Sequence, residues 1–271
     1  MKKWVVIDKK VGETPLQAIE VFKKWYPGYS EAKMAYAGRL DPMASGKLLV
    51  LIGDECKNQE MYHALDKTYE VEVLLGAESD SGDVLGLIKS CDTPTLIRRQ
   101  VIKAVQSMRG TFTVPYPQFS SKTVDGKPLF QWALENKLDA ITIPIQEGYI
   151  YKIRIDKVRT VSGQTVVTEA RQKIRLLPKV TEASKTLGAD FRRIDVEATW
   201  TEFLEKNATR KFTIIKVTCT CSSGTYMRSL AAAIGEKLGT CALAYSIHRT
   251  EIGMRFWLPF GFSFWRNTFT H

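Results

Sequence analysis

Tyr69-Glu70-Val71-Glu72-Val73 alternates apolar and polar residues at a period of two, the pattern of a half-buried strand with Tyr69, Val71 and Val73 on one face. Tyr149 to Ile155 alternates with weaker contrast, and Ile215, Val217, Cys219 and Cys221 share one face of a further strand. The apolar segments Trp4 to Ile7 and Leu48 to Ile52 have strand length. Helical spacing marks other stretches. Leu16, Ile19 and Phe22, with Val21 and Trp25, follow Thr14-Pro15, an N-cap and a first-turn proline, and Pro27-Gly28 closes that helix. A second helix is expected from Leu96 to Met108, closed by Gly110. Met227, Leu230, Ala231, Ile234 and Leu238 form a stripe that ends at Gly239. Between Asp156 and Lys211 the chain is polar and mixed, with one helix expected around Val196 to Lys206. Asp80-Ser81-Gly82-Asp83 reads as a turn. Strands and helices succeed one another irregularly, so the expected class is α+β rather than a strict βαβ repeat.

Composition narrows the classes. The chain has 271 residues, of which 44% are hydrophobic and 10% aromatic, enough for a sizeable core and unlike a disordered tail. Its 18 glycines, 10 prolines and five cysteines exclude collagen and disulfide-scaffold readings. No apolar window has the length of a membrane span, and charges at Lys2, Lys3 and Asp8 interrupt any signal-peptide stretch at the start. Cys56, Cys91, Cys219, Cys221 and Cys241 are odd in number and mostly scattered, which favours reduced thiols in a cytoplasm. Lys and Arg total 39 against 29 Asp and Glu, a net charge of +10. That surplus points to a polyanion such as RNA or DNA, although many soluble proteins are basic without one.

Several motifs fail on inspection. Ser45-Gly46-Lys47 is like the end of a phosphate loop, but Asp41 stands at the earlier glycine position and Leu48 at the Ser/Thr position. There is no G-x-G-x-x-G. A calcium loop starting at Asp80 meets Cys91 where the bidentate glutamate belongs. Cys219-x-Cys221 has no second ligand pair nearby and reads as core packing. His63, His248 and His271 are too dispersed to form a metal cluster or a catalytic triad.

The unusual stretch is Ala37-Gly38-Arg39-Leu40-Asp41-Pro42-Met43-Ala44-Ser45-Gly46. Pro42 drives Asp41 out of helical geometry, and small residues let another backbone approach. Composition alone leaves Asp41 as either a functional carboxylate or an ordinary Asp-Pro turn, and favours the turn. Gly38 to Gly46, however, resembles the G-x-L-D-P-x-A-[ST]-G signature of the TruB-like tRNA pseudouridine synthases. Further blocks follow that family's order. Asp8 to Thr14 is similar to its opening D-K-P-x-G-x-[ST]. Lys67-Thr68-Tyr69, Leu75-Gly76 and Ser79 to Gly86 are similar to its K-x-Y and L-G-x-x-[TS]-D-[TS]-x-D-x-x-G block. Cys221 to Leu230 resembles C-S-x-G-T-Y-[IV]-R-[ST]-L.

The resemblance implies a pseudouridine synthase fold, with a mixed, mostly antiparallel central sheet flanked by helices and a catalytic cleft. It implies an isomerase that turns uridine into pseudouridine in the TΨC arm of tRNA, position 55. Asp41 would be the nucleophile on a flipped-out uridine, Tyr69 would stack on the uracil, and Arg228 would pair with Asp41 and keep it ionised. Thr225 can cap the helix that follows, which places Arg228 in the first turn; a cation there opposes the helix dipole and calls for an anionic partner. Ile247 falls where the family has an aliphatic residue against the flipped base. Tyr226 belongs to the same substrate-binding set. Basic residues such as Lys9, Lys10, Arg39 and Lys67 are candidates for phosphate contacts. Neither metal nor cofactor is implied.

Some positions depart from the pattern. Ala35-Tyr36-Ala37-Gly38 stands where the family has G-H-T-G, so Tyr36 is expected to support the RNA in place of a histidine. Phe130, Leu134, Ala233 and Leu243 also differ from the usual residues. Residues 1–255 are expected to form the catalytic domain, with an insertion at 156–211 as an extra RNA-contacting element. Residues 256–271 would be an aromatic tail that packs on the protein or meets a partner, with no PUA-type domain. A cytoplasmic monomer acting on tRNA is expected. The alternatives are a synthase for another RNA and a non-catalytic RNA-binding or RNA-folding protein.

Overall fold

A computed structural model describes residues 2–178, 192–257 and 263–269 of the chain. In chain order the first half forms β1 (Trp4–Lys9), α1 (Pro15–Trp25), β2 (Met34–Ala37), β3 (Ser45–Ile52), α2 (Gln59–His63), β4 (Asp66–Leu75), β5 (Ala77–Ser79), β6 (Ile88–Ser90), α3 (Arg98–Gln106) and β7 (Gly110–Pro115). Then follow β8 (Thr123–Val124), β9 (Lys127–Pro128), α4 (Leu129–Leu134), β10 (Ile145–Ser162), α5 (Gly163–Arg175), α6 (Arg193–Asn207), β11 (Lys211–Cys221), α7 (Met227–Lys237), β12 (Ala242–Trp257) and β13 (Ser263–Asn267).

Among the described residues nine strands join in one sheet, in the order β1-β3-β12-β4-β11-β10-β7, with β2 added to β3 and β13 to β12. All its pairings are antiparallel except β3 with β12, where Ser45 meets His248 and Gly46 meets Arg249 in parallel. The sheet is therefore mixed and mostly antiparallel, and the class is α+β. The parallel join brings the segment that precedes β3, which contains Asp41, against β12.

Sequence accounts for the start of α1. Thr14 Oγ1 accepts from Gln17 N at 3.2 Å while Gln17 Oε1 accepts from Thr14 N at 2.8 Å, a capping box that opens α1 on Pro15. One sheet face carries the main core. Val101 and Val105 of α3, Val167 and Ile174 of α5, Trp200 and Phe203 of α6, and Leu230 and Ile234 of α7 all pack there against Val71, Val73, Ile215 and Val217. Two smaller clusters line the sheet near β1 and β3.

The segment expected as an insertion at 156–211 contributes to this core and does not stand apart from it. Val166, Val167, Ala170 and Ile174 are buried at helical spacing in α5, a helix the polar composition of the segment concealed, and Ser162 caps it through Thr165 N at 3.2 Å. The strand expected at Tyr149 to Ile155 runs further, from Ile145 to Ser162. In the aromatic tail, β13 pairs with β12, and the Phe269 ring lies edge-on to Trp4 at 4.9 Å and to Tyr62 at 6.0 Å. That part of the tail packs on its own sheet; residues 258–262, 270 and 271 lie outside the described residues. Cys91 and Cys241 correct the expectation of five free thiols. They are bonded as a disulfide, Cα to Cα 6.2 Å, leaving Cys56, Cys219 and Cys221 free. The pairing joins the residue after β6 to the residue before β12, 150 positions apart, and no sequence spacing signals it.

Candidate active site

A cavity of about 460 Å³ opens at the end of the sheet where β11 finishes and β4 begins, the point where Cys221 stands opposite Lys67. The face it uses follows from strand period. Lys67 and Tyr69 of β4 point to the same side, and across the ladders Tyr69 meets Cys219 on β11 and Arg249 on β12, while Val71 meets Ile247. Asp41, Tyr69, Tyr36, Arg39, Lys67, Tyr226 and Ile247 all line this cavity. Residues as far apart in the chain as Tyr36 and Ile247 thus converge on one volume, with Arg228 immediately behind Asp41.

Arg228 lies in the first turn of α7 and is 3% exposed. Its Nε is 2.9 Å from Asp41 Oδ2, off the N–H direction, so the contact is an ion pair without an aligned hydrogen bond. The Nη1 donates to Ser81 O at 2.8 Å and Nη2 to Phe119 O at 3.1 Å. Asp83, itself buried, places Oδ2 3.9 Å from the same Nε. Burial works against the guanidinium's charge, yet Asp41 and Asp83 outweigh it and raise its pKa. Burial pushes the Asp83 carboxyl up, against the pull of Arg228, while Ser81 Oγ donates to it at 2.7 Å and Leu85 N at 2.9 Å. The anionic partner that a first-turn cation calls for is therefore a pair of carboxylates. The cap is not Thr225: the helix opens on Tyr226 without a side-chain cap, and Thr225 turns its hydroxyl toward Gly148 of β10. A Cβ at Gly148 would stand 2.4 Å from that hydroxyl, so a larger residue there would have to turn it away.

The loop carrying Asp41 is held by cations that sequence reading assigned elsewhere or overlooked. Arg249, 1% exposed, donates from Nε to Lys47 O at 2.7 Å, from Nη2 to Gly38 O at 3.0 Å and from Nη1 to Arg39 O at 3.5 Å. Nothing in Ser246-Ile247-His248-Arg249-Thr250-Glu251 marks it out from the other polar residues of β12. Lys9, expected at a phosphate, is 1% exposed and turns inward, its Nζ donating to Ala44 O at 2.6 Å, Lys10 O at 2.9 Å and Pro42 O at 3.4 Å. Lys67 lines the cavity, but its ammonium donates to the carbonyls of His63 and Leu65. Burial pushes both ammonium groups down to about 8. At the junction Gly46 has φ of +103°, and a Cβ there would meet Arg249 O at 2.2 Å, so glycine is required.

The walls differ in character. Tyr69 is buried in the core side of the cavity, and burial pushes its phenol up, so it is neutral at physiological pH. Burial, aided by Asp41, pushes the Tyr226 phenol up to about 12, and its ring lies edge-on to Tyr116 at 5.7 Å. Ile247 is 5% exposed and adds an aliphatic surface. Tyr36, on β2, is fixed through its carbonyl, which accepts from Gln59 Nε2 at 2.7 Å. Arg39 is exposed at the mouth. An aromatic and aliphatic slot with one carboxylate at its floor suits a planar ring presented beside a nucleophile. Among the described residues no group of three or more His, Cys, Asp or Glu is placed to hold a metal ion.

Comparison with known proteins gives the family of the chain. The family model described as TruB family pseudouridylate synthase (N terminal domain) matches residues 26–174, more than half of the chain. The tRNA pseudouridine synthase B of Caldicellulosiruptor saccharolyticus is 25% identical over 250 residues, covering 92% of this chain and 67% of that protein. The protein of the same name from Cupriavidus metallidurans is 30% identical over 221 residues, 82% of this chain and 54% of that one. The chain thus spans between about half and two thirds of the length of the curated relatives it matches. A chain in the crystal structure of a Cbf5-Nop10-Gar1 complex has the same fold, with a TM-score of 0.51 at 17% identity, covering 92% of this chain and 48% of that one. By the match of its sequence over 26–174, this chain belongs to the TruB family of pseudouridylate synthases.

Proposed function

We propose that the chain isomerises uridine to pseudouridine in tRNA, with the TΨC-arm uridine at position 55 as its target. The observation that carries the reading is the ion pair of the buried Arg228 with Asp41, which lines a cavity walled by Tyr69 and Ile247. Asp41 is the nucleophile. The C1′–N1 bond of the target breaks, the uracil turns, and a C1′–C5 bond forms; the C5 proton leaves and N1 gains one, so atoms and electrons balance within the substrate. No redox partner or group donor is needed, and the reading assigns no cofactor.

The residues divide the work by position. Arg228 pairs with Asp41 and aims it, and the carbonyl bonds of Arg249 and Lys9 hold the loop that presents it. Tyr69 stacks on the uracil as a neutral phenol, with Ile247 and Tyr226 on the remaining walls and Lys67 behind them. Tyr36 and Arg39 meet the RNA at the mouth. Flipping a base out of its stack costs a few kcal/mol, offset by this stacking and by phosphate contacts from a chain of net charge +10. We place the protein in the cytoplasm as a monomer.

The target is tested by incubating two unmodified tRNA transcripts with the protein, one with uridine and one with cytidine at position 55, and mapping pseudouridine by carbodiimide adduct stops in primer extension. A single stop at position 55, absent from the cytidine transcript, supports the site. Stops elsewhere would move the activity to another uridine. Binding without any stop would favour an RNA-binding protein.

A further inference from the structure

Asp41 is the acidic residue among those lining the cavity; the basic ones are Arg39, His63, Lys67 and Arg249. Lys67 and Arg249 are buried and donate to backbone carbonyls. Arg39 and His63 are exposed at the mouth, and no hydrogen bond or ion pair among the described residues engages either side chain. His63 is nevertheless rigidly placed. Its carbonyl accepts from Lys67 Nζ at 3.0 Å and from Ser223 Oγ, and α2, which it ends, is tied to β2 by Gln59 Nε2 donating to Tyr36 O at 2.7 Å. Sequence spacing gave this histidine no role, because its cavity neighbours come from four other segments of the chain.

On the reading above, the target nucleotide enters the cavity base first. The ring takes the slot between Tyr69 and Ile247, and the ribose, tied on both sides to the strand, stays at the mouth with its phosphates. We propose that His63 and Arg39 grip from two sides the phosphate that joins the target uridine to a neighbouring nucleotide, which makes His63 a substrate-binding residue. The assignment rests on the uridine-isomerising reading above. An imidazole N–H donates to a phosphate oxygen whether the ring is neutral or cationic, and Arg39 adds a charged fork. Among the described residues neither side chain has a hydrogen-bond or ion-pair partner, so neither grip has to break one of those bonds.

The test uses a stem-loop RNA containing the target uridine, with the phosphate on either side of it replaced in turn by an uncharged methylphosphonate. Binding is measured with the full chain carrying Asp41→Asn, so turnover does not interfere. One of the two replacements should weaken binding more than tenfold, since it weakens the contacts of both His63 and Arg39. His63→Ala should weaken binding of the unmodified RNA about tenfold, and the two losses together should fall short of their sum, because both remove the His63 contact. In the protein that retains Asp41, His63→Ala should raise KM about tenfold and leave kcat within about twofold. Losses that add for both methylphosphonates would overturn the proposal. So would full binding by His63→Phe, which would assign stacking to the site. Failure of the underlying reading looks different: the unaltered protein would bind this RNA and form no pseudouridine in it.

Discussion

Arg249 Nη2 donates to Gly38 O at 3.0 Å, and through that bond a residue of β12 fixes the entrance of the loop that presents Asp41. The same guanidinium reaches Lys47 O on β3, beyond Asp41, so it spans the loop from both ends. Replacing it with methionine keeps much of the volume and leaves three carbonyls without their donor. We expect Arg249→Met to lose roughly 3 kcal/mol of stability and more than tenfold in kcat, read by chemical denaturation and single-turnover kinetics. Wild-type kcat in a stably folded variant would show that the loop holds itself.

Arg228→Met should be more damaging, since it strips the counter-charge from Asp83, which is buried, as well as from Asp41. The expected loss is roughly 3–5 kcal/mol. Adding Asp83→Asn should restore part of it, because the uncompensated carboxylate is then gone. A double variant as unstable as the sum of the two single ones would mean that Arg228 and Asp83 do not interact.

Lys9 and Lys67 give a pH signature. Their folded pKa values are about 8 and their ordinary value is 10.5, so between these pH values the unfolded chain binds more protons than the folded one. Stability contributed by these two residues therefore rises with pH across that window. Above pH 10 the phenols of the buried Tyr69 and the half-buried Tyr226 act oppositely, since they stay protonated in the fold while the unfolded chain ionises. Denaturant midpoints from pH 7 to 10 should climb in the wild type and climb less in Lys9→Met. Parallel profiles would remove Lys9 from the account.

The distribution of thiols is checked by mass. Alkylating the denatured, unreduced protein should label Cys56, Cys219 and Cys221 and spare Cys91 and Cys241. Reduction should then add two labels and lower stability by roughly 2–4 kcal/mol, as expected for closing so long a loop. Five labels before reduction would mean that the pair exists as thiols, the form a cytoplasm maintains.

The sequence carried the local signals well and the long-range ones through motif alone. Alternation at Tyr69, Val71 and Val73, the N-cap at Thr14 before Pro15, and the stripe from Met227 to Leu238 each depend on neighbours a few residues away, and each element forms. Helix α5 was missed because its apolar positions are few and its interior holds Val166-Val167, a β-branched pair that lowers helix propensity. Thr225 looked like a cap, yet its backbone position belongs to the preceding turn, where it packs on Gly148. Lys9 looked like a surface lysine because nothing in Asp8-Lys9-Lys10 reveals that Ala44 O lies 2.6 Å from its ammonium. The roles of Arg249 and Asp83 likewise arise from partners distant in the chain, which no local pattern encodes.

The central claim is that Asp41 performs the chemistry. It is tested by tritium release from an unmodified tRNA transcript labelled at C5 of uridine, comparing the wild type with Asp41→Asn, a variant that keeps the shape of the side chain. The account predicts release by the wild type and none above background by Asp41→Asn, with RNA affinity retained. Release by Asp41→Asn at a comparable rate would contradict it.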